Sequence, residues 1–226
     1  MTKSEIINHN NKQFIYTKED EMFSVTSDSI SLINFVKIKA KDKLIVDFGC
    51  GGGILSLLLS TLTTKKIIGF EVQDEIALLA KKNIVDNHLE DQITVISDKI
   101  QNSLNYVAIN SVDLIITNPP YFQHNLLASH SEYKAIAKHE LLLTFDDVAF
   151  YAHKILKDGG RIVLVQRVER LLELLDTLKK YRLEPKRMQF IFTKEQKPAK
   201  IVLIEAVKNG KQGLKIEFPI FRRNEK

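Results

Sequence analysis

The sequence predicts an α/β fold: a doubly wound sheet of seven mostly parallel strands with helices on both faces. Two observations carry this. Short runs rich in Ile, Val and Leu, the composition of strands buried on both faces, recur along the chain. Segments with apolar residues at helical spacing separate most of them, which is the order of βαβ units.

Taken in order, Lys43–Phe48 (KLIVDF) is the first strand and stops at Gly49. Ile54–Leu62 reads as a helix packed on the sheet, and Lys66–Glu71 (KIIGFE) as the second strand. Asp74–His88 places Ile76, Leu79, Ile84 and Val85 at amphipathic helical spacing. Ile93–Ser97 and Val112–Thr117 are the third and fourth strands, the latter stopped by Asn118-Pro119-Pro120. Leu142–Leu156 is a helix closed by Asp158-Gly159-Gly160. Arg161–Gln166 is the fifth strand, Glu169–Lys180 a helix, and Gln189–Phe192 and Lys200–Val207 are the last two strands. Before the first strand, Thr26-Ser27-Asp28 offers capping side chains to a helix over Ile30–Val36. Lys12–Met22 is polar and is expected to be mobile.

Three segments follow. Residues 1–42 are expected as an N-terminal extension packing on the core, because 42 residues are too few to bury a core of their own. Residues 43–208 form the sheet domain, and 209–226 a basic tail. The polar start MTKSEIINHNNKQ has no apolar stretch of signal-peptide type. No run approaches the ~20 apolar residues that span a bilayer. The only cysteine, Cys50, has no partner for an internal disulfide. A cytoplasmic protein with no membrane partner is expected.

The net charge of +5 is unevenly spread. Met1–Gln166 holds 17 basic and 20 acidic residues, whereas Arg167–Lys226 holds 16 basic and 8 acidic. A basic last third fits a polyanion partner, and it equally fits a solvated lysine-rich surface.

Asp47-Phe48-Gly49-Cys50-Gly51-Gly52-Gly53 follows a strand and opens a helix, the context that a nucleotide-type cofactor site requires. Four glycines in five residues exceed the needs of a turn, and they let a ligand approach the main chain. Glu71, at the end of the next strand, can accept hydrogen bonds from two ribose hydroxyls. Two cofactors compete for such a loop. The dinucleotide fingerprint G-x-G-x-x-G wants a third glycine where Ile54 stands, and Asp47 would face a pyrophosphate unfavourably. S-adenosylmethionine (SAM) carries a sulfonium and an ammonium group instead, which a carboxylate suits.

Asn118-Pro119-Pro120-Tyr121-Phe122 makes a stiff corner at the carboxyl edge of the sheet, because proline fixes φ and removes the N–H donor. The Asn118 amide oxygen and the Pro119 carbonyl can converge on one amino group. Tyr121 and Phe122 offer flat faces to a base. An exocyclic adenine amine is a poor nucleophile, since its lone pair is delocalised into the ring. Two acceptors on its two N–H groups draw it toward tetrahedral geometry and free the lone pair.

The glycine pattern D-x-G-x-G-x-G, with an acid at the next strand end, resembles motifs I and II of class I SAM-dependent methyltransferases. The resemblance implies SAM as cofactor, held by Asp47, Gly49, Gly51, Gly53, Glu71 and Asn118. It also implies that Asp98, just past the third strand, reaches the cofactor's adenine amino group. Asn118-Pro119-Pro120-Tyr121 resembles the NPPY motif IV of amino-methyltransferases and implies Asn118, Pro119 and Tyr121 as the catalytic set.

Over nearly the whole chain the sequence resembles the bacterial tRNA1(Val) adenine-N6 methyltransferase family. Phe23-Ser24-Val25-Thr26-Ser27-Asp28 is similar to that family's F-x-V-x-T-D segment, and Ala137-Lys138-His139-Glu140 to its A-R-H-E stretch. The resemblance implies methylation at adenine 37, with tRNA as partner; no metal is expected, and a monomer is favoured while the sequence leaves the oligomeric state open. Tyr121, Phe122, Lys138 and His139 are then the substrate-binding residues. His139 and Glu140 are expected to order the loop after Tyr121 or to contact RNA. Lys186, Arg187, Lys194, Lys197, Lys200, Arg222 and Arg223 are candidate phosphate contacts. Three other readings remain open at this point: a different amine acceptor (an rRNA base or a protein glutamine), a nicotinamide-dependent oxidoreductase, and a non-catalytic RNA-binding protein.

Overall fold

The computed structural model describes residues 2–19, 26–119, 144–192 and 197–222. The chain starts with a hairpin, β1 (Thr2–His9) and β2 (Lys12–Glu19), paired antiparallel. His9 faces Lys12, so Asn10 and Asn11 alone make the turn, both with positive φ (46° and 61°). That pair of angles is what a type I′ turn requires, and asparagine tolerates it. The expectation that Lys12–Met22 is mobile is therefore corrected for residues 12–19. Ile7, Phe14 and Tyr16 point inward and are buried, while Ile6 and Ile15 face out. An apolar face of period two thus lies within a segment that reads as polar on average. Residues 20–22 lie outside the described residues.

Helix α1 (Ser27–Phe35) is capped as expected by Thr26, whose side chain accepts from the Ser29 N–H. The body then follows in order: β3 (Leu44–Phe48), α2 (Ile54–Leu59), β4 (Lys66–Glu71), α3 (Asp74–Asp86) and β5 (Ile93–Ser97). A 3-10 helix (Ile100–Asn105) leads to β6 (Val112–Thr117). Next come α4 (Phe145–Ile155), β7 (Leu156–Arg167), α5 (Leu171–Lys180), β8 (Leu183–Phe192) and β9 (Ile201–Lys208). Two short strands, β10 (Lys215–Ile216) and β11 (Ile220–Phe221), close the order.

The sheet runs β8-β9-β7-β6-β3-β4-β5, and β10 and β11 both lie parallel to β8 on its outer edge. Only β9 is antiparallel to its neighbours in this body. The seven-stranded, mostly parallel sheet is as expected; the two edge strands are additional. Several helix and strand bounds differ from expectation by one to three residues, and two strands differ by more. Asp158-Gly159-Gly160, expected to close a helix, belongs to β7, where Leu156 pairs with Val112 and the register breaks before Leu114. β8 starts at Leu183, not Gln189, because its polar residues Glu184, Lys186 and Arg187 line a strand near the sheet edge. The register break between Pro185 and Arg187 accommodates the missing proline N–H.

One face of the sheet buries α1, α2, α3 and the hairpin, with Leu32, Leu57, Leu58, Ile84 and Tyr16 among the contacts. The other buries α4 and α5 through Val148, Ala152, Leu174 and Leu178. A buried ion pair ties the segment before β3 to β7: Arg161 donates to both Asp42 oxygens (3.1 and 2.8 Å) and to the Lys37 carbonyl (2.8 Å). This pair lies at the amino ends of β3 and β6, so the carboxyl ends of the parallel strands gather at the opposite edge.

Candidate active site

Strand order reverses between β3 and β6, with β4 and β5 built outward on one side and β7 on the other. At such a switch point the loops diverge and leave a crevice, where open α/β sheets bind ligands. Asp47 of β3 pairs with Gly69 of β4 and Ile116 of β6. Gly49 and Asn118 directly follow β3 and β6, Glu71 ends β4, and Glu71 itself pairs with Ser97 of β5. Asn118, Gly49, Glu71 and Ser97 therefore come from the carboxyl ends of four adjacent strands. Asp98 follows directly on Ser97.

Gly49, Gly51 and Gly53 all lie in the left-handed region (φ 69°, 53° and 85°). That alternation is closed to most L residues and explains the D-x-G-x-G-x-G spacing. Gly52 has a different reason to be glycine. A Cβ there would stand 2.5 Å from the Tyr16 hydroxyl of the hairpin. The hairpin is fastened over the loop by two asparagines one helical turn apart, Asn83 in α3 and Asn87 at its C-cap. Asn83 accepts from the Thr17 N–H (2.8 Å) and donates to the Thr17 and Gly52 carbonyls (2.8 and 2.9 Å). Asn87 accepts from the Ile15 N–H and donates to its carbonyl (2.9 and 2.7 Å). The two carboxamides act toward β2 as a neighbouring strand would. Gly52→Ala is expected to destabilise the loop by about 1–3 kcal/mol through overpacking. Adding Tyr16→Phe should recover most of the loss, as urea unfolding of the double variant would show. Equal stability of Gly52→Ala with and without Tyr16→Phe would refute the contact.

Asp47 is wholly buried beneath this loop. Ser56 Oγ, from the first turns of α2, donates to its Oδ2 (2.8 Å). Its Oδ1 is buried with no hydrogen-bond partner among the described residues. Burial pushes its pKa up to about 7; the Ser56 hydrogen bond opposes the rise and Glu71 adds to it. Burial also pushes the Cys50 thiol well up, so this cysteine is no nucleophile. Glu71 is buried at the end of β4, and its two oxygens accept from the N–H groups of Gly51 (2.9 Å) and Gln73 (3.0 Å). Asp98 accepts from the Lys99 N–H (2.8 Å), Asn102 Nδ2 (2.8 Å) and the Tyr106 hydroxyl (2.9 Å). The Tyr106 ring sits edge-on to Phe70 (centroids 5.9 Å).

On the other side of the switch point, the Thr117 hydroxyl donates to the Phe48 carbonyl (2.8 Å) and locks β6 to β3 just before the corner. Asn118 donates from Nδ2 to Ser29 Oγ (3.2 Å) in the first turn of α1. This fixes the carboxamide so that Oδ1 is left for another donor. Pro119 is buried behind it. Thus Asp47, Gly49, Gly51, Gly53, Glu71, Asp98, Asn118 and Pro119 gather along one sheet edge. Tyr121, Phe122, Lys138 and His139 lie outside the described residues.

Reading the sequence alone missed Tyr16, Ser29, Ser56 and Asn83. Ser56 left a signal, a lone polar residue on an otherwise apolar helix. Asn83 and Asn87 left another, two amides at i, i+4 on a face expected to pack. Two candidate phosphate contacts are structural clamps instead. Arg187 pairs with Glu205 and Glu217 and donates to the Phe35 carbonyl, and Arg222 pairs with Asp28. Lys194 and Arg223 lie outside the described residues. Among those residues no His, Cys, Asp and Glu cluster suits a metal ion, and no helix is long and apolar enough to cross a membrane.

The antiparallel β9 between β7 and β8, with a glycine cradle at the switch point, defines a Rossmann-like methyltransferase sheet. A predicted O-methyltransferase from Agrobacterium tumefaciens has this fold, with TM-score 0.68 at 19% identity over 86% of each chain. So does a 16S rRNA N2 methyltransferase of T. thermophilus solved with AdoMet and guanosine (TM-score 0.64, 17% identity, 92% of this chain and 50% of that one). Residues 17–190 match the methyltransferase small domain model, and the chain belongs to that family. The tRNA1(Val) (adenine(37)-N6)-methyltransferase of Dyadobacter fermentans is 30% identical over 70% of this chain and 64% of its own length. The proteins of that name from Photobacterium profundum and Bacteroides thetaiotaomicron are 29% and 26% identical, over 80% and 92% of this chain and 76% and 86% of theirs.

Proposed function

We propose that the chain is a SAM-dependent methyltransferase that modifies the N6 amine of an adenine in tRNA, at position 37 of a valine tRNA. The observation that carries this is the set of adjacent strand ends placing the Asn118 corner beside the glycine loop and Glu71. The names of the relatives over most of the chain support the choice of substrate.

The residues present fit SAM. Three left-handed glycines open the main chain to a ligand, and Asp47 keeps one buried oxygen unpartnered beside a cationic ligand's place. When bound, SAM supplies an electrophilic methyl carbon on a sulfonium. Glu71, oriented by Gly51 and Gln73, would accept from the ribose hydroxyls, and Asp98, set by Asn102 and Tyr106, would accept from the cofactor's adenine amine. Asp47 balances the positive charge from below the loop. Asn118 Oδ1 and the Pro119 carbonyl take the two N–H groups of the target amine and expose its lone pair. Tyr121 and Phe122 hold the target base by stacking, with Lys138 and His139 at the RNA. No strong base is needed beforehand, since the nitrogen's proton becomes acidic once methylated and passes to solvent. Positioning supplies most of the rate. The nicotinamide reading is not favoured: Ile54 replaces its third glycine, and the family is one of methyltransferases. We place the enzyme in the cytoplasm, working as a monomer without a metal.

Asp47 gives this reading a pH signature. Its folded pKa of about 7 lies above the unfolded ~3.9. The group therefore favours the folded state at low pH, and that stability is lost as pH rises from about 4 through 7. Cofactor-free protein should thus lose melting temperature between about pH 5 and 7 and level off above, and Asp47→Asn should lose less. SAM affinity by calorimetry should rise over the same interval in the wild type and stay flat in Asp47→Asn. Parallel curves for the two proteins would contradict the assignment.

The direct test of function is incubation of the protein with labelled SAM and unmodified tRNA, followed by nucleoside mass analysis. N6-methyladenosine is expected. Label in a guanosine or in a protein glutamine would overturn the acceptor.

A further inference from the structure

The C-terminal segment exposes aromatic side chains beside β8. After β9 the chain returns along the outer side of β8, pairing Lys215–Ile216 with Arg187–Met188 and Ile220–Phe221 with Ile191–Phe192. Ile220 packs inward toward α1, but Phe221 is 57% exposed and Phe218 91% exposed. Phe221 is stacked on Phe192, with centroids 5.1 Å apart and planes 24° from parallel. Large aromatic faces left in water carry a hydration cost that a bound partner relieves.

The position of this pair is specific. β8 is antiparallel to β9, which is antiparallel to β7, so Phe192 and Phe221 lie at the same sheet edge as the Asn118 corner. One residue beyond the last β8–β9 pair, Ile191 with Ile201, come Phe192 and Lys200. Lys200 and Lys197 are exposed there and make no ion pair among the described residues. Arg222, next to Phe221, donates to Asp28 Oδ1 (2.6 Å), the Ser27 carbonyl (2.9 Å) and Ser31 Oγ (3.0 Å) in α1. The first turn of α1 also holds Asn118 through Ser29. The aromatic pair is thereby fixed relative to the amine-binding corner through two side-chain bonds and one helical turn.

We propose that Phe221, backed by Phe192 and flanked by Phe218, is a platform on which an unpaired RNA base neighbouring the target adenine stacks. Lys197 and Lys200 contact the phosphates beside it. The chemistry favours single-stranded RNA over a second protein copy for two reasons. The outermost strands there, β10 and β11, are two residues each, too short to template a further strand, so side chains rather than backbone are offered. The surroundings are basic, with 16 basic and 8 acidic residues from Arg167 to Lys226. The platform rests on reading the Asn118 corner as an RNA methylation site. It names residues outside the NPPY corner that read single-stranded character.

The test uses the full chain and a fluorescein-labelled anticodon stem-loop with 2-aminopurine beside the target adenine. Phe221→Ala is expected to weaken equilibrium binding about 10-fold, the effect of one lost base stack. It should abolish the quenching of 2-aminopurine and raise the KM for RNA, with SAM affinity retained. Phe221→Trp should restore binding and quenching. Unchanged RNA affinity and quenching in both Phe221→Ala and Phe218→Ala would overturn the platform. A dimer by sedimentation that Phe221→Ala dissolves, with RNA affinity unchanged, would overturn it in favour of a second copy. Binding and quenching do not require methyl transfer. A protein that binds through Phe221 but methylates no adenine sinks the functional reading and leaves the platform standing. One that methylates tRNA at wild-type KM in Phe221→Ala does the reverse.

Discussion

Asn118→Ala is expected to lower kcat for methyl transfer by about 100- to 1,000-fold while calorimetric SAM affinity is retained. The loss is of the size seen when one fixed polar group is removed from a reacting centre. The split follows from where the side chain is tied. Its amide nitrogen is held by Ser29 on α1, not by the glycine loop or Glu71. Truncation removes an acceptor for the target amine and leaves the cofactor cradle in place. Ser29→Ala should have the same sign with a smaller loss, since it frees the carboxamide to rotate without deleting it. Asn118→Asp would keep an acceptor but lose the Nδ2 donor to Ser29, and should fall between. Equal loss of turnover and SAM binding in Asn118→Ala would contradict this division of roles.

Glu71→Ala is expected to weaken SAM binding about 100-fold or more. Two hydrogen bonds to a charged carboxylate are worth roughly 1.5–3 kcal/mol each. The carboxylate is already oriented by Gly51 and Gln73, so little ordering cost offsets their loss. Glu71→Gln should lose less, because an amide oxygen still accepts. A chain that bound SAM normally in Glu71→Ala but melted early would show that Glu71 only fastens the glycine loop.

The sheet was legible because its strands are nearly continuous Ile, Val and Leu runs with glycine, asparagine or proline at their ends. Lys66–Glu71, Ile93–Ser97 and Val112–Thr117 read correctly to the residue. The hairpin was not legible, since Phe14, Ile15 and Tyr16 are three apolar neighbours of which the middle one faces water. β8 was cut short because its polar first half satisfies an edge position. Gly49, Gly51, Glu71 and Asn118 announced the site by residue type and spacing. The residues that orient them did not. Ser29 meets Asn118 across 89 positions, Asn83 meets Thr17 across 66, and Tyr16 reaches Gly52 only after the hairpin folds over the loop. Arg187 and Arg222 looked like phosphate contacts because charge alone cannot distinguish a clamp from a solvated surface. Their carboxylate partners, Glu205, Glu217 and Asp28, appear only in the fold.

The central claim is that the Asn118–Pro119 corner presents an adenine amine to the cofactor's methyl carbon. A crystal structure of the full chain with S-adenosylhomocysteine and an anticodon stem-loop tests it most directly. The expected result places adenine N6 about 2.7–3.2 Å from both Asn118 Oδ1 and the Pro119 carbonyl oxygen, on the side facing the cofactor sulfur. An adenine bound elsewhere, or a corner turned away from the sulfur with its oxygens bonded to protein, would contradict it.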